Sequence, residues 1–309
     1  MIALLAPGQG AQTPGMLTPW LEQPGADDRV ARWSKVTGLD LVRLGTTADA
    51  DEITDTAVTQ PLVVATALLA FEELKRLGAT EDPAFAKLTA GHSVGELAAA
   101  AIAGVISSDD AVALAALRGR EMAKACALEP TGMTAVLGGT EDDVLSRLDE
   151  LGLEAANRNA KGQIVAAGKL SALAELAAAP PARAKLRSLA VAGAFHTRFM
   201  APARDAVAEA AASIPTNDPM RILLSNADGK PVTTGRAALN EIVEQITRPV
   251  RWDLCTATMV ELSVEGLAEL PPAGTLTGIA KREMRGVPQT ALKTPDELTN
   301  LGLLSPQAA

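Results

Sequence analysis

A serine stands between two glycines in the stretch AGHSVGELAAA, residues 90–100. Gly91, Ser93 and Gly95 form a G-x-S-x-G pattern between an apolar run and an alanine-rich segment. This is the pattern of a nucleophile raised on a sharp strand-to-helix turn. Serine is a poor helix former and a pair of glycines weakens the start of any element, so local stability does not account for them. Nucleophile geometry does. Side chains two positions to either side would collide on so tight a turn, and the helix that follows aims free N–H groups at developing negative charge. Composition alone predicts roughly 0.07 chance matches to the pattern.

A serine nucleophile needs a base, and the sequence contains only two histidines. His92 adjoins Ser93, and neighbouring side chains on a tight turn diverge. That leaves His196 in VAGAFHTRFM, at the end of a predicted strand, where α/β sites assemble. An oxyanion hole needs two converging N–H donors. Val94 offers one, and the glycine-rich turn PGQGAQ (7–12) after the first apolar run can offer the second. Arg118 falls in the helical stripe Ala111, Ala115, Arg118, Met122, Ala125. An arginine there either snorkels or points into a pocket, where it seeks a carboxylate or phosphate. Glu121 lies off that stripe, while Arg120 and Lys124 read as solvated charges.

These residues need elements to hold them. IALLA reads as a buried strand, residues 60–77 as a long helix closed by Gly78, FAKLTA as the strand before the elbow, and SDDAVALAALRGREMAKACA as a helix with Ser108 as N-cap. From about residue 128 the elements shorten. MTAVLG, TEDDVLSRLDELG, LEAANRN, QIVAAG, KLSALAELAAA and KLRSLAVAG give the order β-α-β-β-α-β, the ferredoxin-like signature. Longer units then return: a helix near 199–212, RILLS, a helix at 236–247, VEGLAEL, a helix in GTLTGIAKREM and VPQTALK. The expectation is a large α/β subdomain (1–127 and 194–309) with a small one inserted (128–193).

The bulk numbers narrow the classes. The 309 residues are 48% hydrophobic and 2% aromatic, with a net charge of -9. Neither a basic footprint nor stacking aromatics for nucleic acid is present. Cys126 and Cys255 stand far apart with no Cys/His cluster, so a structural zinc site is not expected. The N-terminus lacks a basic, apolar leader, and the longest apolar run, residues 61–70, is too short to span a membrane. A cytoplasmic setting is the expectation.

With PGQGAQ, GHSVGE, LRGREM, GAFHTRFM and QITRPVRWDL in that order, the sequence resembles the malonyl-CoA:acyl carrier protein transacylases over essentially its whole length. It is most similar in pattern to stand-alone bacterial enzymes of fatty-acid or polyketide synthesis. The resemblance implies an α/β-hydrolase-like core with an inserted ferredoxin-like subdomain. It makes Ser93 the acyl carrier, His196 its base, Gln9 and Val94 the oxyanion donors, and Arg118 the partner of the malonyl carboxylate. Gln245 would hold the histidine ring through its carbonyl oxygen. Asn157 and Asn159 would face the cleft, and Phe195 would crowd a 2-methyl branch. AELPPAGTLTG departs from the family, which more often has a small residue before the proline.

Malonyl-CoA would be a substrate and acyl carrier protein the acceptor, exchanged through a malonyl-serine ester by a monomer without metal or cofactor. An acidic carrier would dock on Arg248 and Arg251, or on Lys281, Arg282 and Arg285. Two alternatives remain: a serine hydrolase or thioesterase with the same elbow, which would set an acid on the His196 ring, and a non-catalytic carrier-docking module. Asp228 in NADG could suggest such an acid, though Asp-Gly pairs are common turns.

Overall fold

The computed structural model describes residues 1–81 and 85–304. It is a mixed α/β structure with two sheets, about half of it helical. Its strands are β1 (Ile2–Ala6), β2 (Leu88–Gly91), β3 (Thr131–Gly138), β4 (Glu154–Ala160), β5 (Gln163–Lys169), β6 (Ala184–Ser188), β7 (Ile222–Leu224), β8 (Pro231–Val232), β9 (Val250–Arg251), β10 (Gly266–Glu269) and β11 (Gln289–Ala291).

One six-stranded sheet runs β11-β10-β1-β2-β7-β8, parallel except for β8 at its edge. Its central strands are buried along their whole length and mostly apolar, because helices cover both faces. The period of two in β1 divides its side chains between two cores. Leu4 and Ala6 join the core with Val63, Leu97 and Ala115, whereas Ala3 and Leu5 pack with Trp252, Met259 and Ile279.

The second sheet runs β6-β3-β5-β4-β9. Its first four strands are antiparallel and alternate with helices in the expected β-α-β-β-α-β order. The fifth is an addition. The two residues of β9 come from far along the chain and pair in parallel with Asn157 and Arg158 of β4.

Several boundaries move. The long helix begins at Thr56, not at residue 60, because Asp55 caps it by accepting from the Ala57 N–H at 2.8 Å. Pro61 sits inside the helix and removes one backbone donor. The helix is long and apolar enough to cross a membrane, but 83% of its apolar window is buried within the protein. Ser107 is the N-cap of the helix Ser108–Cys126, where Ser108 was expected. The strand expected over 185–193 ends at Ser188. Four helices between Thr18 and Thr54, unread in the sequence, pack Trp20, Val30, Trp33, Leu41 and Ile53 against the main core.

The Glu269 carboxylate at the end of β10 fixes one wall of the site. Fully buried, it accepts from the N–H groups of Gly274, Leu276 and Thr277 at 3.0, 3.0 and 2.8 Å and from the Thr277 hydroxyl at 2.8 Å. It thereby caps the helix Thr275–Glu283. Glu269→Ala is expected to cost about 2–4 kcal/mol, since it strands three main-chain donors and a hydroxyl beside the core. Equilibrium denaturant unfolding would measure the loss, and a change below about 0.5 kcal/mol would contradict this account.

Candidate active site

Ser93 sits at the turn between β2 and the helix Gly95–Ile102 with φ of +54°. That backbone region is strained for a residue with a Cβ and raises the hydroxyl above the sheet. The glycines are there because nothing larger fits. A Cβ on Gly91 would lie 2.0 Å from the Gly95 carbonyl carbon, and one on Gly95 would lie 2.4 Å from the Ala6 carbonyl oxygen. Asn226, just after β7, fastens the turn. Its Oδ1 accepts from the Ser93 N–H at 2.9 Å, and its Nδ2 donates to the Gly91 carbonyl at 2.8 Å.

His196 meets Ser93 from the loop after β6. Its Nε2 lies 2.8 Å from Ser93 Oγ, and its Nδ1 donates to the main-chain carbonyl of Gln245 at 2.8 Å. With the proton on Nδ1, Nε2 is left as the acceptor, the tautomer a general base requires. Burial, followed by the nearby Arg118 cation, pushes the imidazole down to about 3 and keeps it neutral. Gln245 holds the ring because the helix Gly235–Glu244 gives way there to a tighter turn. The ring's Nδ1 partner is a neutral carbonyl, where a hydrolase would place an acid. Asp228 is near the surface instead, 3.7 Å from Lys230.

Arg118 is 1% exposed. Its Nη1 donates to Gln60 Oε1 at 2.6 Å, and its Nη2 donates to Gln245 Oε1 at 2.9 Å and lies 3.4 Å from Ser93 Oγ. Its Nε has no partner among the described residues. Burial lowers the guanidinium to about 10, with the Glu96 charge pulling the other way. Of the stripe that marked Arg118, Arg118 and Met122 reach the site, while Ala111, Ala115 and Ala125 pack in the main core. Glu121, as expected, takes no part and pairs with Lys124 at 2.8 Å.

Gln60, Asn226 and Glu96 escaped the sequence reading. Glu96 is 3% exposed and accepts from the Asn226 N–H at 2.6 Å and from the Gln245 side-chain amide. Burial pushes its carboxyl up to about 8, Glu241 pushes the same way, and Asn226, Arg118 and Gln245 pull back. The signal for Gln60 was a polar residue at the head of an otherwise apolar helix.

Ser93, His196, Arg118 and Gln60 open onto a cleft of about 180 Å3 between the two sheets, also lined by Gln9, Val94, Asn157, Asn159 and Phe195. All nine predicted site residues therefore converge, with Gln245 behind the wall and the other eight on it. The main-chain N–H groups of Gln9 and Val94 have no acceptor among the described residues. The Gln9 side chain donates to Thr56 Oγ1 at 3.2 Å. Asn159 Oδ1 is occupied by His92 Nε2 at 2.9 Å, and the His92 ring lies edge-on to Trp252 at 5.6 Å. His92 therefore braces the second sheet against the elbow and does not face Ser93.

A raised serine, a neutral histidine on a carbonyl and a buried guanidinium describe an acyl-transferring site, and comparison with known proteins agrees. The family described as acyl transferase domain matches residues 4–297. The chain belongs to that family. It is 66% identical over 306 residues to the malonyl CoA-acyl carrier protein transacylase of Mycobacterium tuberculosis strain H37Rv, covering 97% of this chain and 100% of the relative. It is 34% identical over 304 residues to the protein of the same name from Escherichia coli K12, covering 96% and 97%. A crystal structure of the Mycobacterium tuberculosis enzyme superposes with a TM-score of 0.95 at 65% identity, covering 97% of this chain and 99% of that one.

Proposed function

We propose that this chain is an acyltransferase that moves the malonyl group from malonyl-CoA to acyl carrier protein. One observation carries the choice of acyl group: the buried Arg118 fork stands 3.4 Å from the Ser93 hydroxyl and has no carboxylate of its own within ion-pair reach among the described residues. In a malonyl group the free carboxyl carbon and the thioester carbon are separated by two C–C bonds, about 2.5 Å across a tetrahedral angle. A carboxylate gripped by Arg118 thus sets the thioester carbon beside Ser93 Oγ.

The exchange proceeds in two balanced steps. His196 Nε2 takes the Ser93 proton as Oγ attacks the thioester carbon, and the Gln9 and Val94 amides receive the oxyanion. Collapse breaks the C–S bond, and the CoA thiol leaves with the proton from His196. The carrier's phosphopantetheine thiol then gives its proton to His196 and attacks the malonyl-serine ester, and Ser93 departs with that proton. Two thiols and one acyl group balance without a metal or redox cofactor. In this reading Phe195 crowds a 2-methyl branch, and Asn157 and the free amide of Asn159 hold the thiol arm.

The reading extends to architecture and partner. The core around β1 and β2 is α/β-hydrolase-like, and residues 128–193 form the ferredoxin-like subdomain, braced by β9. The chain works as a monomer in the cytoplasm. Of the docking candidates, Arg248 and Arg251 are engaged by Glu244 at 3.1 Å and Asp253 at 2.8 Å. Lys281, Arg282 and Arg285 are exposed at the end of the helix that walls the cleft, which favours them as the carrier's contact.

Intact-mass analysis tests the reading. Malonyl-CoA is expected to leave one malonyl group on Ser93 that discharges when holo carrier protein is added. Acetyl-CoA is expected to leave the protein unlabelled over the same interval. No adduct, or an adduct lost to water as fast without the carrier, would favour the hydrolase alternative or a docking module.

A further inference from the structure

We propose that Glu96 is a positioning residue for the selection of malonyl: by accepting from the Gln245 side-chain amide, it fixes which end of that amide faces Arg118. The inference rests on the transacylase reading and deepens it. It concerns a carboxylate that the chemistry of acyl transfer does not use.

Hydrogen-bond chemistry supplies the argument. Gln245 has a two-ended side chain between Arg118 and Glu96. Arg118 can only donate and an ionised Glu96 can only accept. The amide therefore has one satisfying orientation, with Oε1 on Arg118 Nη2 at 2.9 Å and Nε2 on Glu96. The same Nε2 reaches the Ser93 carbonyl at 3.2 Å and Asn226 Oδ1 at 3.1 Å, both acceptors. Gln60 holds the other tip of the fork at 2.6 Å. With both tips held, the fork cannot swing away from the space over Ser93. Above about pH 8, where Glu96 is ionised, a buried anion one amide away also offsets the Arg118 charge before substrate arrives.

Glu96→Gln keeps the shape and removes this directionality. The Asn226 main-chain N–H cannot rotate, so the oxygen of the introduced amide must turn to it, as Glu96 Oε1 does now at 2.6 Å. The NH2 of the introduced amide then points at the Gln245 amide, donor against donor. A flip of Gln245 only moves the conflict, setting its NH2 against Arg118 and its Oε1 against the Ser93 carbonyl and Asn226 Oδ1, so neither orientation satisfies every partner and the amide loses its single fixed pose. The Asn226 main-chain contact survives, while the Gln245 hold on Arg118 loosens.

The experiment measures Ser93 loading from malonyl-CoA and from acetyl-CoA for wild type and Glu96→Gln. It is run at pH 8.5, above the value of about 8 to which burial raises Glu96. We expect malonyl kcat/KM to fall about 10- to 100-fold, mostly through KM, with acetyl changing by no more than about threefold. The malonyl-to-acetyl preference then drops about tenfold or more. A preference within about twofold of wild type overturns the role of Glu96, as do equal losses for both acyl groups, which would mark a merely structural part. Wild type that fails to load malonyl at all defeats the transacylase reading instead. Should the variant not fold, neutron diffraction of the wild-type protein decides. Deuterons of the Gln245 amide facing Glu96 support the proposal, and deuterons facing Arg118 overturn it.

Discussion

Replacing Ser93 by alanine is expected to abolish acyl loading from malonyl-CoA and to lower transfer to acyl carrier protein by about 10,000-fold or more. The ester has nowhere else to form. Ser93 Oγ is the atom on His196 Nε2, at 2.8 Å, and the turn that lifts it leaves no second hydroxyl or thiol on the imidazole among the described residues. Cys255 is fully buried and held protonated by burial, and the thiol of Cys126 is pushed up to about 11. His196→Ala should keep the fold and lose roughly 1,000- to 100,000-fold in loading rate, since the oxyanion donors and Arg118 remain. Loading followed by mass spectrometry on a rapid-quench time course measures both, and a labelled Ser93→Ala protein would contradict the assignment.

The same imidazole sets the pH response. Because it stays neutral down to about 3, the acid limb of loading is expected far below the ordinary histidine value of 6.5. Folding linkage has the same sign. The unfolded chain takes a proton near 6.5 that the folded chain refuses until about 3, so this contribution to stability falls as pH drops through that window. An acid limb centred at 6.5 would mean that His196 is far better solvated than its surroundings allow.

What the sequence made legible follows from how each feature is encoded. Ser93 was legible because an elbow needs small residues at fixed spacing, and His196 because elimination left no other base. Arg118 stood out as a cation in an apolar stripe. Glu96 had no such mark. An acid in the first turn of a helix ordinarily complements the dipole, and nothing local says that this one turns inward. Asn226 was hidden in NADG, where Asp228 drew the eye. The asparagine holds the elbow and the aspartate faces solvent, a distinction made by tertiary contacts 130 residues away.

The fold divides in the same way. A central strand such as β1 is a continuous apolar run because both faces are covered, so its burial is written in its composition. The four helices from Thr18 to Thr54 have no more than twelve residues each, and each buries only one or two large side chains. Gly25 and Gly38, both with φ near +70°, bracket one of them and were its readable punctuation. The two-residue β9 carries no period at all; it exists because β4 has a free edge.

Arg118→Ala is expected to exchange one substrate preference for another. Malonyl kcat/KM should fall roughly 100- to 10,000-fold, the loss for breaking a desolvated, hydrogen-bonded charge pair, at a tenfold factor per 1.4 kcal/mol. Acetyl loading should hold or rise, because the wild-type fork disfavours a group that cannot satisfy it: an acetyl methyl leaves a buried guanidinium tip unpaired. Arg118→Lys should fall between the two. An ammonium keeps the charge but cannot span Gln60, Gln245 and an acyl carboxylate with one planar fork. A second readout separates selectivity from simple damage. Arg118 is among the groups pushing His196 down, so its removal should carry the acid limb of acetyl loading upward, toward neutrality. Competition between malonyl-CoA and acetyl-CoA, followed across pH, measures both effects together. Malonyl and acetyl rates falling in step, with the acid limb unmoved, would show that Arg118 braces the wall of the cleft and selects nothing.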